Sequence, residues 1–397
     1  EKGEYDFESI DAIDIDLFNK HLLALLNGEE VEMPEFDFHE GTKKYIATGD
    51  IINNNIVTYE EYYYDSKPSR ANLQIEEGTV IFAKMKDTIK VLIGNKDNKN
   101  NIYSTGFCSL IPNDNILSKY LFYYLNSESF NKQKNKYSSG ATQQAINNEK
   151  LKKIMIKELP TLEKQKEIIK KLDTITSLIE YKKIQIDKLN ELIKSQFVEM
   201  FGNPVVNEKK WDKRRLFDEC EIITGNTPPR KIASYYGDYI EWIKSDNILE
   251  NNMFLTRAKE FLSPEGLTVG RSIDKECILM TCIAGSLKSI GNVGITDRKV
   301  SFNQQINGIN PKENNVYFMY VQFVLSKDYL HTPINMSLKG ILSKNQLGNL
   351  EFIFPPIDLQ NKFADIVKQI DKQKFEFENS LKKLEELKNS LMQEYFG

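Results

Sequence analysis

The chain has 397 residues, of which 40% are apolar and 28% are charged, a composition typical of two or three globular domains rather than of a disordered or collagen-like protein. No run of about 18 uninterrupted apolar residues occurs, and the first residues resemble no signal peptide. Four scattered cysteines and three histidines provide neither a disulfide framework nor the spacing of zinc ligands. We therefore expect a cytoplasmic protein with no bound metal and no membrane partner.

Charge is distributed unevenly along the chain. Residues 1–45 contain 13 acidic and 4 basic residues, whereas positions 46–397 contain 44 acidic and 49 basic residues. The net charge of −4 therefore reflects the acidic N-terminal segment, and the rest of the chain is mildly basic. A mildly basic body permits DNA binding without establishing it, since phosphate groups attract lysine and arginine.

The first predicted element lies in this atypical acidic segment, which we define as residues 1–44. Apolar residues at helical spacing precede Gly28 and predict a helix over about 14–27, closed by the glycine. The residues that carry this pattern are Ile15, Leu17, Phe18, Leu22, Leu25 and Leu26.

Residues 45–158 follow as the first globular domain, domain 1. Short β-rich runs such as VIFAKM (80–85) and KVLIGN (90–95) are separated by Gly, Asn and Asp turns, and a helix is predicted over 119–126. This mixture predicts an α/β domain.

Residues 159–202 introduce a repeat with a period of 195 residues. The sequence LPTLEKQ (159–165) returns as FPPIDLQ (354–360), and the Phe-Gly pair at 201–202 returns at 396–397. Between these anchors both copies lack proline and glycine and are rich in Lys, Glu, Leu and Ile. The pattern predicts one long helix in 159–202 and a second in 354–397.

Apolar residues in both helices alternate at spacings of four and three, which is the heptad pattern of a coiled coil. Each stripe needs a partner, and the nearest one is the other helix. A pair of amphipathic helices on a common core remains the alternative. The predicted seam contains Leu172, Ile179, Ile186, Ile193, Val367, Ile370, Leu381 and Leu384.

Residues 203–353 form the second globular domain, domain 2, with β-rich runs such as CILMTCIAG (277–285) and a helix over 317–326. The segment YIEWIKSDNI (239–248) corresponds in position to YIATGDI (45–51), and Gly340 corresponds to Gly140. The domains therefore share an arrangement while their sequences diverge, which suggests two different recognition surfaces on one scaffold.

No catalytic motif occurs in the sequence. The phosphate loop, the glycine-rich dinucleotide loop, the nucleophile elbow of hydrolases and the paired histidines of zinc proteases are all missing. We predict that this chain catalyses no reaction by itself.

Loops in both domains combine cations, which suit phosphates, with amides and hydroxyls, which suit base edges. Any one of these side chains could instead be an ordinary surface residue, and residues 303–305 could serve loop structure. In domain 1 the candidates for DNA binding are Lys84, Lys86, Lys90, Lys136, Ser138, Ser139, Thr142, Gln143 and Gln144. In domain 2 they are Thr227, Arg230, Lys231, Lys244, Ser245, Asn247, Arg271, Lys288, Asn303, Gln304 and Gln305.

Taken in this doubled order, the motifs resemble the specificity subunits of type I restriction-modification systems. The resemblance rests on GNTPPRK (225–231) after CEIIT, on YIEWIKSDNI, on SSGATQQAI (138–146) and on the two signatures LPTLEKQ and FPPIDLQ with their long helices. It covers residues 46–397, nearly nine-tenths of the chain.

The resemblance implies an α+β fold in which two target recognition domains are separated by two long helices, paired as an antiparallel coiled coil in a pseudo-two-fold tandem repeat. Each domain would read one half of a bipartite site in double-stranded DNA. The partners would be two methyltransferase subunits and, where the complex also cleaves, two restriction or motor subunits. No cofactor would bind this chain, since S-adenosylmethionine, ATP and magnesium belong to those partners, and adenine would be the methylated base.

Residues 1–44 depart from that family. Their YDFESIDAID and LLNGEEVEMP resemble an internal segment of uridine kinase-like nucleoside kinases, but those enzymes need a phosphate loop that this sequence lacks. A fused segment and a divergent start of the first recognition domain both remain open. For the whole chain, the rival hypothesis is a coiled-coil docking protein without sequence-specific DNA binding.

Overall fold

The computed structural model describes residues 42–63, 66–250, 252–334 and 340–397. The predicted helix at 14–27 and nearly all of the acidic segment lie outside these residues. The chain forms two compact units, one containing the residues up to Leu178 together with Leu384–Gly397, and the other containing Ile179–Lys383.

Short strands alternate with short helices in both units, and two long helices follow them. The strands are β1 Lys43–Ile46, β2 Ile51–Ile52, β3 Asn55–Ile56, β4 Glu60–Tyr62, β5 Ala71–Leu73, β6 Val80–Ala83, β7 Val91–Ile93, β8 Ile102–Ser104, β9 Phe107–Leu110, β10 Lys213–Arg215, β11 Cys220–Thr224, β12 Tyr236–Gly237, β13 Ile240–Ile243, β14 Phe261–Leu262, β15 Ser272–Ile273, β16 Ile278–Thr281, β17 Val293–Ile295, β18 Val300–Phe302, β19 Ile306–Pro311 and β20 Glu351–Ile353. The helices are α1 Ser118–Leu125, α2 Glu128–Tyr137, α3 Asn148–Leu151, α4 Leu162–Phe201, α5 Leu216–Glu219, α6 Pro264–Val269, α7 Val316–Leu325, α8 Lys327–His331, α9 Lys344–Asn349 and α10 Ile357–Phe396.

The first unit contains two larger sheets, and the apolar strand β6 is the central strand of the smaller of these two. One sheet has the order β4-β1-β8-β5, with β1 parallel to β8, and the other has the order β7-β6-β9. Val80 and Phe82 of β6 pack on α1 and α2, while Ile81 and Ala83 pack on the opposite core. All four residues of β6 are buried because its two faces serve two different cores.

The second unit repeats this plan. Its sheets have the orders β11-β19-β16-β17 and β12-β14-β13-β18-β15, and β13 is parallel to β18. Ile278 and Met280 of β16 belong to the larger core, which includes α7, and Leu279 belongs to the second core on the other face. The prediction of a mixed α/β domain in each half agrees with these strands and helices.

Hydrogen bonds after β1 and β13 align the two domains residue by residue. The Ala47 N–H donates to the Asp50 carboxylate at 2.7 Å, and the Lys244 N–H donates to the Asn247 side chain at 3.0 Å. Each bond closes a short 3-10 turn, Thr48–Asp50 or Ser245–Asn247. Asp50 therefore corresponds to Asn247, as the sequence comparison predicts. The predicted match of Tyr45 with Tyr239 is wrong, however, because the strand pairings place Tyr45 opposite Trp242 in the alignment.

The predicted correspondence of Gly140 with Gly340 is wrong by four residues. Isolated bridges join Met85 to Ala145 in the first unit and Ile283 to Ile341 in the second. Since Ala145 and Ile341 occupy the same place in the fold, Gly340 corresponds to Gln144. Only the bridges show this alignment, because the two loops share too few residues to align by sequence.

The long helices α4 and α10 each contain 40 residues, and their segments pair in opposite directions within each unit. In the first unit, early residues of α4 such as Leu172 share a core with Phe396 at the end of α10. In the second unit, Phe197 near the end of α4 contacts Phe363 near the start of α10, with ring centroids 5.4 Å apart. In the same unit Asn190 contacts Lys374, so the later α4 residue meets the earlier α10 residue and the two segments are antiparallel there.

The predicted seam lies on the inner faces of these helices. Five of its residues are buried, namely Leu172, Ile179, Ile193, Val367 and Ile370. Three are half-buried, namely Ile186, Leu381 and Leu384. Polar residues interrupt the seam in the second unit, where Lys374 donates to Asn190 at 3.0 Å and the Lys182 ammonium lies 4.1 Å from the Phe377 ring centroid.

A buried glutamine explains why the two signatures before the long helices end alike. Gln165 accepts the Leu117 N–H at 2.9 Å and donates to Asn115 O at 2.8 Å, which fixes the start of α1. Gln360 accepts the Asn315 N–H at 2.9 Å, at the start of α7. Both side chains are buried, so each repeat uses its glutamine to join a long helix to the short helix of its domain.

Candidate nucleic-acid interface

Three strand ends meet in the second unit and bring most of the predicted domain 2 residues together. Because β13 and β18 are parallel, Lys244 and Asn303 follow them side by side, and the Asn303 N–H donates to Ile243 O at 3.1 Å. The loop after β11 joins them, since the Gly225 N–H donates to Ile306 O at 3.0 Å. We call residues 225–231, Lys244 and 303–305 the domain 2 cluster.

Gly225 and Asn226 hold the loop of this cluster against the strands. A Cβ atom on Gly225 would lie 2.3 Å from Asn303 O, so the close approach requires glycine. The Asn226 side chain donates to Val269 O at 2.8 Å and accepts the Arg271 N–H at 2.9 Å. Arg271 is one of the predicted DNA contacts. Its guanidinium donates to Thr224 O at 2.6 Å, so it already makes a hydrogen bond within the domain.

Arg230 and Lys244 lie over one buried tryptophan. The Arg230 guanidinium is 4.8 Å from the Trp242 ring centroid and 4.6 Å from that of Tyr236, and the Lys244 ammonium is 5.1 Å from that of Trp242. Each contact is a cation–π interaction, which restricts where the cation can lie. The rings therefore present two positive charges at one place on the exposed loop cluster.

Glu260 is the anion between these two cations. Its carboxylate accepts hydrogen bonds from the Arg230 guanidinium at 2.6 Å and from the Lys244 ammonium. The bonds from Lys244 and then Arg230 lower the pKa of Glu260 below its usual value. Sequence reasoning missed Glu260, because nothing local in the sequence indicates which cations it meets.

Polar side chains continue the cluster beside the cations. The Thr227 hydroxyl donates to the amide oxygen of Gln304, which is exposed. Asn303 is buried, and its amide donates to the Gln305 side chain at 3.1 Å. Hydroxyl and amide groups beside cations can hydrogen-bond to the base edges of DNA.

Of the other predicted domain 2 residues, Lys231 lies in the cluster and the rest lie outside it. Asn247 is buried, and its amide donates to Arg257 O at 3.0 Å, which is a bond within the domain. Ser245 is half-buried at the start of the same turn. Lys231 is exposed in the loop of the cluster, and Lys288 is exposed in the 3-10 turn Leu287–Ser289.

A buried carboxylate supports the strand that carries Trp242. Glu241 accepts two bonds from Arg298, both at 2.7 Å, one from Arg257 at 2.7 Å and one from the Ala258 N–H at 2.8 Å. Burial raises the pKa of Glu241, but the bonds from Arg298, Ala258 and Arg257 outweigh it and lower the pKa to about 2. This residue was also missed by sequence reasoning.

In the first unit, the loop 138–144 joins the strand end that carries Lys84 and Lys86. Ser139 and Ala145 exchange backbone hydrogen bonds at 3.0 and 3.1 Å, which close the loop. The Ile146 N–H donates to Lys84 O at 3.0 Å, and the Lys86 N–H donates to Gln144 O at 3.0 Å. Lys86, Ser139, Thr142 and Gln143 are exposed there, and Lys84 and Ser138 are half-buried.

Several of these side chains already make bonds within the domain. Ser138 donates to Lys134 O at 2.8 Å, Ser139 accepts from Lys150 at 2.6 Å, and Gln143 donates to the Met85 sulfur at 2.7 Å. Lys90 donates to Thr48 O at 2.5 Å, in a half-buried position. Lys136 is exposed at the end of α2 with its ammonium 5.6 Å from the Tyr137 ring centroid.

Lys134 lies buried beneath this loop, and sequence reasoning missed it. Its ammonium donates to Ala83 O at 3.4 Å and to Thr88 O, so it fixes both ends of the turn that carries Lys84 and Lys86. Burial lowers its pKa to about 8, although Asp87 partly opposes this change.

The alignment of the two domains also identifies candidates that the sequence analysis did not name. The Lys84 N–H donates to Gly106 O at 2.9 Å, and the Cys282 N–H donates to Gln305 O at 2.8 Å. Residues 104–106 of domain 1 therefore correspond to residues 303–305 of the domain 2 cluster. Their short Ser-Thr-Gly sequence resembles Asn-Gln-Gln too little for the sequence alone to reveal the match.

Within the described ranges, no three His, Cys, Asp or Glu side chains gather as metal ligands. The cysteines in these ranges are buried thiols without disulfide bonds. No helix among the described residues combines the length and the apolar character that a membrane crossing requires.

Comparison with known proteins gives one consistent family. The family model described as the type I restriction modification DNA specificity domain matches residues 32–191 and 208–389. A relative in Methanocaldococcus jannaschii, assigned as the type I restriction enzyme MjaX specificity subunit, is 27% identical over 308 residues, or 69% of this chain and 68% of the relative. The type I restriction enzyme HindI specificity subunit of Haemophilus influenzae is 32% identical over 114 residues, or 28% of this chain and 24% of the relative.

Among solved structures, one concerned with complex assembly and conformational transition of the type I R-M system contains a similar chain. The TM-score is 0.56 at 20% sequence identity, and the match covers 90% of this chain and 91% of that chain. This likeness supports the predicted α+β fold with two domains and two long helices.

Proposed function

Because this chain belongs to the family of type I restriction modification DNA specificity domains, we propose that its two globular domains each read one half of a bipartite site in double-stranded DNA. The resemblance that the sequence motifs indicate is confirmed by the match over both halves. The chain is a DNA specificity subunit, a non-catalytic member of its complex.

The domain 2 cluster is the observation that carries this proposal. Arg230 and Lys244 provide two cations on a rigid aromatic platform, and Thr227 and Gln304 provide hydroxyl and amide groups beside them. Specific recognition of DNA needs both kinds of group, cations for phosphates or guanine and neutral polar groups for the other base edges. We assign this role to the part of the chain between 203 and 353.

In domain 1, between 45 and 158, we propose the corresponding role for the loop 138–144 together with the strand end that carries Lys84 and Lys86. Backbone bonds join these two segments, so their exposed side chains form one continuous surface. Lys136, at the end of α2, adds a cation. Ser104 and Thr105 extend the surface, because they correspond to Asn303 and Gln304.

The long helices have a different proposed role. We propose that the segments 159–202 and 354–397 form the coiled coil that docks two methyltransferase subunits and, in a complex that also cleaves, two restriction or motor subunits. S-adenosylmethionine, ATP and magnesium would then bind those partners. We infer a cytoplasmic location, because the complex would act on genomic DNA.

Adenine methylation mapped across the source genome, with this gene intact and then deleted, tests the function. We expect one bipartite motif to lose its methylation on deletion, because no other subunit would direct the methyltransferase to that sequence. A normal methylome after deletion, in cells shown to express the intact gene, would contradict the proposal. The docking-protein hypothesis would then be preferred, provided that the purified chain also binds DNA without sequence preference.

A further inference from the structure

Glu260 occupies the donors that DNA would need in the domain 2 cluster. Its two carboxylate oxygens accept from Arg230 and Lys244, and its side chain is 35% exposed. Its backbone is fixed as well, since the Trp242 N–H donates to Glu260 O at 2.9 Å. The carboxylate is therefore held at one end of an internal strand, immediately before β14, and is partly open to solvent.

We propose that Glu260 determines specificity by holding Arg230 and Lys244 in place for base readout while withholding them from phosphates. This inference rests on the proposed function of the domain 2 cluster. It assigns Glu260 a positioning role, since the carboxylate acts on DNA through the two cations.

The first half of the argument concerns position. Arg230 is confined by the Tyr236 and Trp242 rings and by its bond to one carboxylate oxygen. A guanidinium that is fixed on three sides keeps its remaining N–H groups in a defined direction. Such a group suits the two acceptors on the edge of guanine, and it loses little freedom on binding.

The second half concerns competition. A phosphate that binds the remaining N–H groups of Arg230 or Lys244 comes close to the negative carboxylate of Glu260, which cancels part of its attraction to the cations, whereas the edge of guanine carries no net charge and meets no such repulsion. DNA without the target sequence offers mainly phosphates. A guanine in the correct place can be contacted without removing Glu260, and contacts with Thr227 and Gln304 add to it. The carboxylate should therefore weaken non-specific binding more than specific binding.

The test measures DNA affinity of the full-length chain by fluorescence anisotropy for wild type and Glu260→Gln. One duplex carries the motif found by methylation mapping, and the other has both half-sites scrambled. For the scrambled duplex, Glu260→Gln should steepen the slope of log affinity against log salt by about 0.9, the value for one additional phosphate contact. Between 1 M and 0.1 M salt, this adds a further factor of roughly eight to the rise in affinity for scrambled DNA beyond that of wild type. Affinity for the motif should not increase, so discrimination at 0.1 M salt should fall by roughly the same factor of eight.

Glu313→Gln is the matched control. It removes the same charge from an exposed residue of the same unit, two residues beyond β19, whereas the cluster lies before the start of that strand. This control should leave both slopes unchanged. Glu260→Asp keeps the charge, so it should keep the wild-type slope for scrambled DNA while losing part of the discrimination. Thermal unfolding of each variant verifies that it is folded.

Two results would overturn the proposal. One is a Glu260→Gln slope equal to that of Glu313→Gln, and the other is an equal change of affinity for both duplexes. Failure of the proposed function has a different signature, since wild type would then bind both duplexes equally. The scrambled duplex alone would still show whether Glu260 opposes phosphate binding.

Discussion

Glu241 lies next to Trp242 but faces away from solvent, with a side chain that is 9% exposed. Its bonds to Arg298, Ala258 and Arg257 stabilise the carboxylate only while it is ionised. In the unfolded chain the pKa returns to its ordinary value of 4.5. The folded state therefore binds fewer protons than the unfolded state between pH 4.5 and pH 2, and stability falls as pH falls through this range.

We predict that Glu241→Gln removes this part of the pH dependence. Wild type should lose on the order of 3 kcal/mol of unfolding free energy as pH falls from 4.5 to 2, and the variant should lose correspondingly less. Urea denaturation at a series of pH values measures the difference. Glu221→Gln, on the exposed side of β11, is the control and should retain the wild-type slope. A Glu241→Gln slope equal to that of wild type would contradict the assignment.

Lys134 gives a pH dependence of the same sign in the alkaline range. Burial lowers its pKa from 10.5 to about 8, so between these values the unfolded chain holds a proton that the folded chain has released. Stability should therefore rise with pH across this range, by about 3 kcal/mol for this group.

The variant Lys134→Met should flatten that rise while keeping most of the buried volume. It should also loosen the turn that carries Lys84 and Lys86, because Ala83 O and Thr88 O lose their donor. The measurement is unfolding free energy from pH 7.5 to 10.5. Lys132→Met on the same helix is the control, since Lys132 is 74% exposed and should leave the rise intact. An unchanged rise in Lys134→Met would mean that another group titrates.

At the scale of elements, each buried glutamine connects the start of a long helix to the start of a short helix by hydrogen bonds. Gln360 accepts from Asn315 N–H and donates to Asn314 and Pro355 O, so one side chain satisfies the entry to α7 and the entry to α10. Gln165 does the same for α1 and α4. An apolar side chain of similar size would fill the space but leave these polar groups buried and unsatisfied.

We expect Gln360→Met to lower the unfolding free energy by roughly 2–4 kcal/mol, since two or three buried groups lose their partners. Gln373→Met, at an exposed position of α10, should change it by less than about 0.5 kcal/mol. Chemical denaturation of the two variants gives both values. Equal effects would show that the buried bonds contribute no more than an ordinary surface substitution.

For the whole molecule, the two proposed recognition surfaces should be separable by mutation. Arg230→Ala with Lys244→Ala should alter or weaken methylation that depends on one half of the motif, and Lys84→Ala with Lys86→Ala should affect the other half. Each lost base contact costs about 1–3 kcal/mol, so the loss of two contacts should reduce affinity for the site more than about tenfold.

Methylation mapping in cells that carry each double variant checks this expectation. Lys132→Ala and Lys299→Ala are controls, because both residues are exposed lysines outside the two surfaces. The proposal that residues 45–158 and 203–353 each read one half-site would be contradicted if variants in one domain changed the methylation that depends on both half-sites equally.

The sequence by itself determined the repeat, the long helices and the family. These features are patterns that can be read directly from the order of the residues. They are the period of 195 residues, the absence of proline and glycine between its anchors, and the heptad spacing. The same reasoning placed two short helices within one residue of α1 and α7. It also selected Thr227, Arg230, Lys244 and Gln304, because cations and amides in turns are distinctive.

Only the tertiary structure decided which of those residues lie together. Arg230, Lys244 and Glu260 lie on separate segments, and they meet because β13 pairs with β14 on one side and with β18 on the other. Strand pairing of this kind depends on contacts between distant residues, which no local pattern encodes. For the same reason the sequence could not show that Asn247 and Lys134 are buried, the latter against the turn that carries Lys84 and Lys86. Nor could it show that Gln165 and Gln360 are buried and connect helices.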